Sequence, residues 1–191
     1  MSTDPISVVV IVGSTRKGRL APGLAEWLTS QTAQRHDLVT KVIDLLDLGL
    51  PDSLDENSAG VVELRPHLAA AEAFIFVVPE YNRSIPGPLK TLIDCYNAEW
   101  EAKPFGFVTY GLSMAGGTRA VEHLRQIFGE FHSVCMKDVV IFPRILDHFD
   151  STGQFAPDPE GCNAAAKVMI DQLCWWARAL REAKARRPYR A

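Results

Sequence analysis

Three short stretches of this 191-residue chain hold the residue types from which a binding site can be built. The first is Gly13-Ser14-Thr15-Arg16-Lys17-Gly18-Arg19, which follows an apolar run and precedes a helical pattern. A loop in that position presents unpaired backbone N–H groups at the positive end of a helix. Its two hydroxyls and three cations add side-chain donors and charge, which is chemistry for a phosphate dianion. It is not a P-loop, because no second glycine is followed by Lys-Ser or Lys-Thr. It is not a dinucleotide fingerprint, because Thr15 and Arg16 stand where a glycine repeat would be needed.

The second stretch is Pro79-Glu80-Tyr81-Asn82-Arg83-Ser84-Ile85-Pro86-Gly87-Pro88-Leu89-Lys90. Prolines fix φ, so three of them stiffen the loop. A stiff loop loses little entropy when it holds a planar ligand. Tyr81 offers a ring surface, and Asn82 and Ser84 offer hydrogen bonds. Gly87 reads as a position where replacement harms packing. The third stretch, Tyr110-Gly111-Leu112-Ser113-Met114-Ala115-Gly116-Gly117-Thr118, again joins a strand pattern to a helix pattern. Gly116 and Gly117 would let the backbone approach a ligand closely. Each stretch taken alone also reads as an ordinary turn. Together they supply a phosphate end, a flat-ring end and a close-backbone end, which match a mononucleotide.

Such loops need a frame that gathers them. Ile6 to Val12 is β-branched and almost wholly apolar, which suits a strand covered on both faces. Val39–Asp44, Phe74–Val78, Phe105–Tyr110 and Val139–Phe142 read as four further strands. Between them lie helical spacings at Ala21, Leu24, Ala25 and Leu28, at Leu89, Leu92, Ile93 and Tyr96, and at Ala120, Val121, Leu124, Ile127, Phe128 and Phe131. Pro66 either opens a short helix ending near Ala71 or kinks a longer one. A last helix carries an apolar face of Ala165, Val168, Met169, Leu173, Trp176, Ala177 and Leu180. Pro143 to Cys162 reads as a long loop. Strands alternating with helices predict α/β architecture, a three-layer sandwich around a five-stranded parallel sheet, for which we choose the order 2-1-3-4-5 among those that periodicity leaves open. In such a sheet ligands bind beyond the carboxyl ends of the strands, where the three loops lie.

The whole chain narrows the possibilities. Its length suits one domain over 1–191. A formal net charge of -3 gives no reason to expect a nucleic-acid or membrane partner, and the first apolar run is too short to span a bilayer. The basic end of the last helix, from Arg178 to Arg190, reads as solvated surface. A cytoplasmic location is expected. Cys95, Cys135, Cys162 and Cys174 show no paired spacing and read as buried or half-buried free thiols, and neither they nor the five histidines have metal-ligand spacing. Trp100 and Trp175 look like tryptophans left over once the core is filled, the kind found at interfaces.

The first two stretches, the second continuing through Thr91, Leu92, Ile93 and Asp94, resemble the NADPH-dependent FMN reductases. The resemblance covers Ile6 to about Phe142 and implies a flavodoxin-like fold, with helices on both faces of the sheet. It implies FMN bound by Ser14, Arg16 and Arg19 at the phosphate, and by Pro79, Glu80, Tyr81, Asn82 and Ser84 along the isoalloxazine ring. Gly111, Ser113, Gly116 and Gly117 would meet the ring's pyrimidine side. Arg19 stands where many members carry a serine. The implied function is ping-pong oxidoreduction: hydride from NADPH, or NADH, passes to the flavin N5, then to a flavin, quinone or other small-molecule acceptor. The flavin carries the chemistry, with no catalytic side chain and no metal. The resemblance also implies a homodimer, in some members a tetramer. A flavodoxin-type electron carrier and a non-catalytic nucleotide-binding sensor are the rival readings.

Overall fold

The computed structural model describes residues 4–51 and 53–190. Six strands and five helices are named here: β1 (Ile6–Val12), α1 (Ala21–Ala33), β2 (Leu38–Asp44), α2 (Ala59–Ala70), β3 (Ala73–Pro79), α3 (Gly87–Asp94), β4 (Pro104–Tyr110), α4 (Thr118–Gly129), β5 (Val134–Cys135), β6 (Val140–Phe142) and α5 (Pro159–Arg186). The strands form one parallel sheet in the order β2-β1-β3-β4-β5, with β6 also paired to β4. The expected order holds. The expected fifth strand is divided instead: β5 pairs with Pro104 and Phe105 at the start of β4, and β6 pairs with Val108 to Tyr110 at its end.

β3 and β4 are buried along their whole length, because they lie inside the sheet with helices on both faces. Alternate residues of β1 serve opposite layers. Ile6, Val8, Val10 and Val12 pack with α1 and α5, whereas Val9 and Ile11 pack with the layer of α2, α3 and α4. That second layer is aromatic. Phe74, Phe76, Phe105, Phe107, Phe128 and Trp100 are all fully buried, and Phe105 stacks on Phe128 at 3.9 Å between centroids. Trp100 is therefore a core residue, with its indole N–H donating to Ile93 O at 3.0 Å. The interface role expected for it is corrected. Trp175 does face solvent.

Three other local expectations change. Pro66 lies inside α2 rather than at its start. It sits on the exposed side while Val61, Leu64 and Leu68 anchor the inner one, so the carbonyl that loses a partner faces water. The inner face of α5 is Ala166, Met169, Ile170, Leu173, Cys174 and Ala177, leaving Val168 and Trp176 exposed. Two apolar stripes overlap along this helix, and only contact with the sheet selects between them. The segment after Phe142 is not a free loop. It holds a 3-10 turn at Ile145–His148 and a Phe149–Phe155 bridge, and its aromatic residues pack against Trp27 and Phe142. All four cysteines are free thiols, buried or half-buried.

Candidate active site

β1 and β3 are neighbours, yet their chains leave in different directions, which opens a crevice at the carboxyl edge of the sheet. The loop after β1 starts with Gly13 N–H donating to Val77 O at 2.9 Å, and it closes in a turn with Arg19 N–H donating to Arg16 O at 3.1 Å. Gly18 takes the left-handed conformation, φ +71°, that the third position of this turn needs. Among the described residues, the amides from Ser14 to Gly18 find no protein acceptor. The exposed side chains of Arg16 and Lys17 likewise have no ion-pair partner there.

Arg19 behaves differently. It forms a two-pronged ion pair with Asp44 at the end of β2, one N–H···O being 2.6 Å, and donates a further bond to Ser14 O at 2.7 Å. The Asp44 hydrogen bond raises the Arg19 pKa further, against the lowering effect of burial. Its guanidinium thus shapes the loop from behind. Ser14 is wholly buried, and its hydroxyl shares a 2.7 Å hydrogen bond with the Tyr81 hydroxyl.

The loop after β3 is stiffened by more than its prolines. Tyr81 and Ser84 exchange both backbone hydrogen bonds at 2.9 Å. Asn82 and Arg83 between them have φ of +48° and +71°, the signature of a type I′ turn. Two side chains tie this turn to α4. Glu80 accepts from the Arg119 guanidinium at 2.8 Å and from the Arg119 backbone N–H at 3.2 Å, complementing the positive end of the helix. Ser84 shares a 2.9 Å bond with His123.

In the loop after β4, Gly116 and Gly117 are buried. A Cβ at Gly117 would lie 2.0 Å from Thr109 Oγ1, and one at Gly116 would lie 2.4 Å from Ile141 Cγ2. Their missing side chains thus admit the protein's own atoms. Ser113 is exposed, and its hydroxyl accepts from Ala115 N–H. Burial and the nearby Tyr81 push the Tyr110 phenol above the ordinary tyrosine range, with Ser14 and Arg19 acting the other way.

These elements enclose a cleft of about 240 Å³ lined by Arg16 to Leu20, Pro79 to Tyr81, Tyr110 to Leu112, and Ile145. A second cleft of about 390 Å³ adjoins it, sharing Arg16, Glu80 and Tyr81 and reaching Asn82 and Pro86 to Pro88. Of the residues expected at the site, Arg16, Arg19, Pro79, Glu80, Tyr81 and Gly111 line the first cleft and Asn82 the second, with Ser14 bonded to Tyr81. Ser84, Ser113, Gly116 and Gly117 line neither. Sequence reading passed over Leu20, Tyr110, Leu112 and Ile145 as lining residues, and Asp44 and Arg119 as supports. Asp44 carried a usable signal, since it ends a parallel strand at the ligand edge. Ile145 carried none, because only long-range docking of its segment brings it there.

The family model for NADPH-dependent FMN reductases matches residues 6–147. The chain belongs to this family. As a member of the NADPH-dependent FMN reductases it is an enzyme of NAD(P)H-dependent flavin oxidoreduction with FMN as its flavin. It is 31% identical over 132 residues to an NAD(P)H-dependent FMN reductase of Schizosaccharomyces pombe, a match covering 64% of this chain and 65% of that one, just under two thirds. It is 32% identical over 143 residues to a quinone reductase of Pseudomonas putida, covering 69% and 74% respectively. The fold is that of a flavoenzyme NAD(P)H:(acceptor) oxidoreductase from Paracoccus denitrificans, with a TM-score of 0.72 at 22% identity over 91% of this chain and 98% of that one. No helix among the described residues is long and apolar enough to cross a membrane.

The residues of this FMN reductase fit the cofactor. Amides and two cations that have no partner among the described residues suit a phosphate, and they lie beside a tyrosine ring in a part-apolar crevice that suits a flat ring. No second loop of the phosphate-binding kind is present in the sequence to take an adenylate half.

Proposed function

We propose that this cleft seats FMN, with its phosphate at the loop from Ser14 to Arg19 and its ring between Pro79–Asn82 and Tyr110–Leu112. The protein takes hydride from NADPH or NADH and reduces a small acceptor of the flavin or quinone class. One observation carries the reading: the free phosphate donors and the tied-down Tyr81 loop converge on one crevice at the strand-order reversal.

Bound FMN supplies a ring that takes up hydride and hands electrons on. The chain's own residues bind and orient. Arg16 and Lys17 neutralise the phosphate. Arg19, neutralised by Asp44, keeps the loop in register. The ties of Glu80 to Arg119 and of Ser84 to His123 hold the ring platform still, and misplacement by about 1 Å can cost about a hundredfold in rate. Leu20, Leu112 and Ile145 offer an apolar wall to a planar acceptor.

Heat release and chromatography of the flavin from purified protein is expected to give FMN, about one per chain, with steady NAD(P)H oxidation when a quinone is added. Recovery of FAD, or no binding of added FMN, would overturn the reading. Steady turnover also separates a reductase from an electron carrier or a sensor.

The protein is further read as one folding unit over 1–191, acting in the cytoplasm as a homodimer. Four unpaired thiols suit a reducing compartment. Trp175 and Trp176 contact each other edge-on at 5.1 Å on the outer face of α5, the former 62% exposed, and exposed tryptophans concentrate at interfaces. Light scattering at micromolar concentration is expected to give the mass of two chains, and the mass of one would refute the dimer.

A further inference from the structure

On the reading that NAD(P)H delivers its hydride at this crevice, we propose that Arg83 selects NADPH over NADH by binding the 2′-phosphate that NADPH alone carries. Arg83 holds the second central position of the type I′ turn, with φ +71°. Glycine is the residue that this position favours, because a Cβ crowds the backbone at positive φ. Asn82, at the first position, is tolerated because a short polar side chain suits the left-handed region. Arginine has no such compensation, so a long cation stands where the turn itself would gain from glycine. A conformation kept against its local cost points to a use for the side chain.

The Arg83 side chain is exposed, and among the described residues it has no hydrogen bond or ion pair. Other guanidiniums around the three loops are already engaged: Arg119 with Glu80 at 2.8 Å, Arg144 with Asp147 at 3.0 Å, and Arg19 with Asp44. Arg16 and Lys17 are open, but they stand at the loop after β1, where the FMN phosphate is proposed. Arg83 is thus the open guanidinium of the loop after β3. Its turn is held by the paired Tyr81–Ser84 backbone bonds and by the ties of Glu80 and Ser84 to α4. A cation on a fixed turn loses less freedom on binding. Asn82 beside it lines the second cleft and Tyr81 lines both, so the turn stands at the rim. A nicotinamide placed for hydride transfer takes the ring end, and its adenosine half leaves the crevice over that rim. A guanidinium fork matches a phosphate dianion through two parallel N–H bonds. The pyrophosphate, shared by both nucleotides, would give no selection.

The test is equilibrium dialysis of NADP+ and NAD+ against the FMN-loaded protein, with kcat/KM for NADPH and NADH beside it, in wild type, Arg83→Gln and Arg83→Gly. Wild type is expected to favour the phosphorylated nucleotide in both measurements. Arg83→Gln keeps the turn conformation and removes the charge. It is expected to weaken NADP+ by about tenfold, the low end for a charge-assisted contact because the side chain is exposed, and to leave NAD+ within about twofold. Arg83→Gly is expected to lose the same preference while melting no lower than wild type, since glycine relieves the turn. Three results would overturn the assignment: equal affinity of wild type for the two nucleotides, loss of both nucleotides alike in Arg83→Gln, or a preference left intact in either variant. FMN-loaded protein that oxidises neither NADPH nor NADH would instead overturn the hydride reading itself.

Discussion

Replacing Arg16 with alanine is expected to weaken FMN binding by about tenfold to more than a hundredfold while leaving hydride transfer in the saturated enzyme nearly unchanged. The size follows from losing a charge-assisted contact to a phosphate, about 1.5–3 kcal/mol. The split follows from distance, since the phosphate end of the site lies away from the ring end. Arg16 is chosen over Arg19 because the structure separates the two. Arg19 spends its charge on Asp44 and on the Ser14 carbonyl, whereas Arg16 is exposed and has no ion pair among the described residues. Titration of flavin-free protein with FMN, followed by NAD(P)H oxidation at saturating FMN, reads both quantities. Unchanged affinity in Arg16→Ala would make it a solvated loop charge and move the phosphate elsewhere.

Gly117→Ala is expected to be among the most damaging single-methyl additions near the site. The new Cβ would stand 2.0 Å from Thr109 Oγ1 and 2.8 Å from Tyr110 O, and Thr109 Oγ1 is itself bonded to Val78 O and Gly117 O. The backbone there has φ +93°, which an L side chain resists at a cost of about 1–2 kcal/mol. Overpacking adds about 1–3 kcal/mol. Together they predict a melting temperature lower by on the order of 10 °C for a chain of this size, with the loop after β4 pushed away from the end of β4 itself. Gly87→Ala is the contrast. A Cβ at Gly87 meets nothing within 4 Å, and its φ is not positive. Its replacement is expected to stay within about 0.5 kcal/mol of wild type, which corrects the expectation that Gly87 is needed for packing. Melting curves of the two variants side by side check the pair. Equal losses would show that the space around Gly117 yields.

Much of the frame was legible because its signals are local. A run such as Ile6 to Val12 declares a strand covered on both faces, and the stripe Ala120, Val121, Leu124, Phe128 declares a helix with one buried side. The three loops declared themselves by composition. Errors arose where two local patterns overlapped or where distant parts choose the outcome. α5 carries two apolar stripes, and the sheet decides which one turns inward. Trp100 is preceded by a helix and followed by a turn, with nothing local to say that Phe74, Phe76 and Phe105 surround it.

The residue types of the three loops and their place after β1, β3 and β4 were determined by sequence alone, and the proposed phosphate and ring ends are read from those residue types. Strand-to-helix loops of parallel sheets must gather at one edge, so composition at those loops is enough. Tertiary structure decided how the members of the set divide their work. Asp44 removes Arg19 from the free cations, Tyr81 claims the Ser14 hydroxyl, and Thr109 and Ile141 fill the space that Gly116 and Gly117 leave. Each of these pairs joins residues brought together only by strand pairing and layer packing. Charge neutralisation, hydrogen-bond capacity and excluded volume depend on that three-dimensional proximity, which no spacing along the chain encodes.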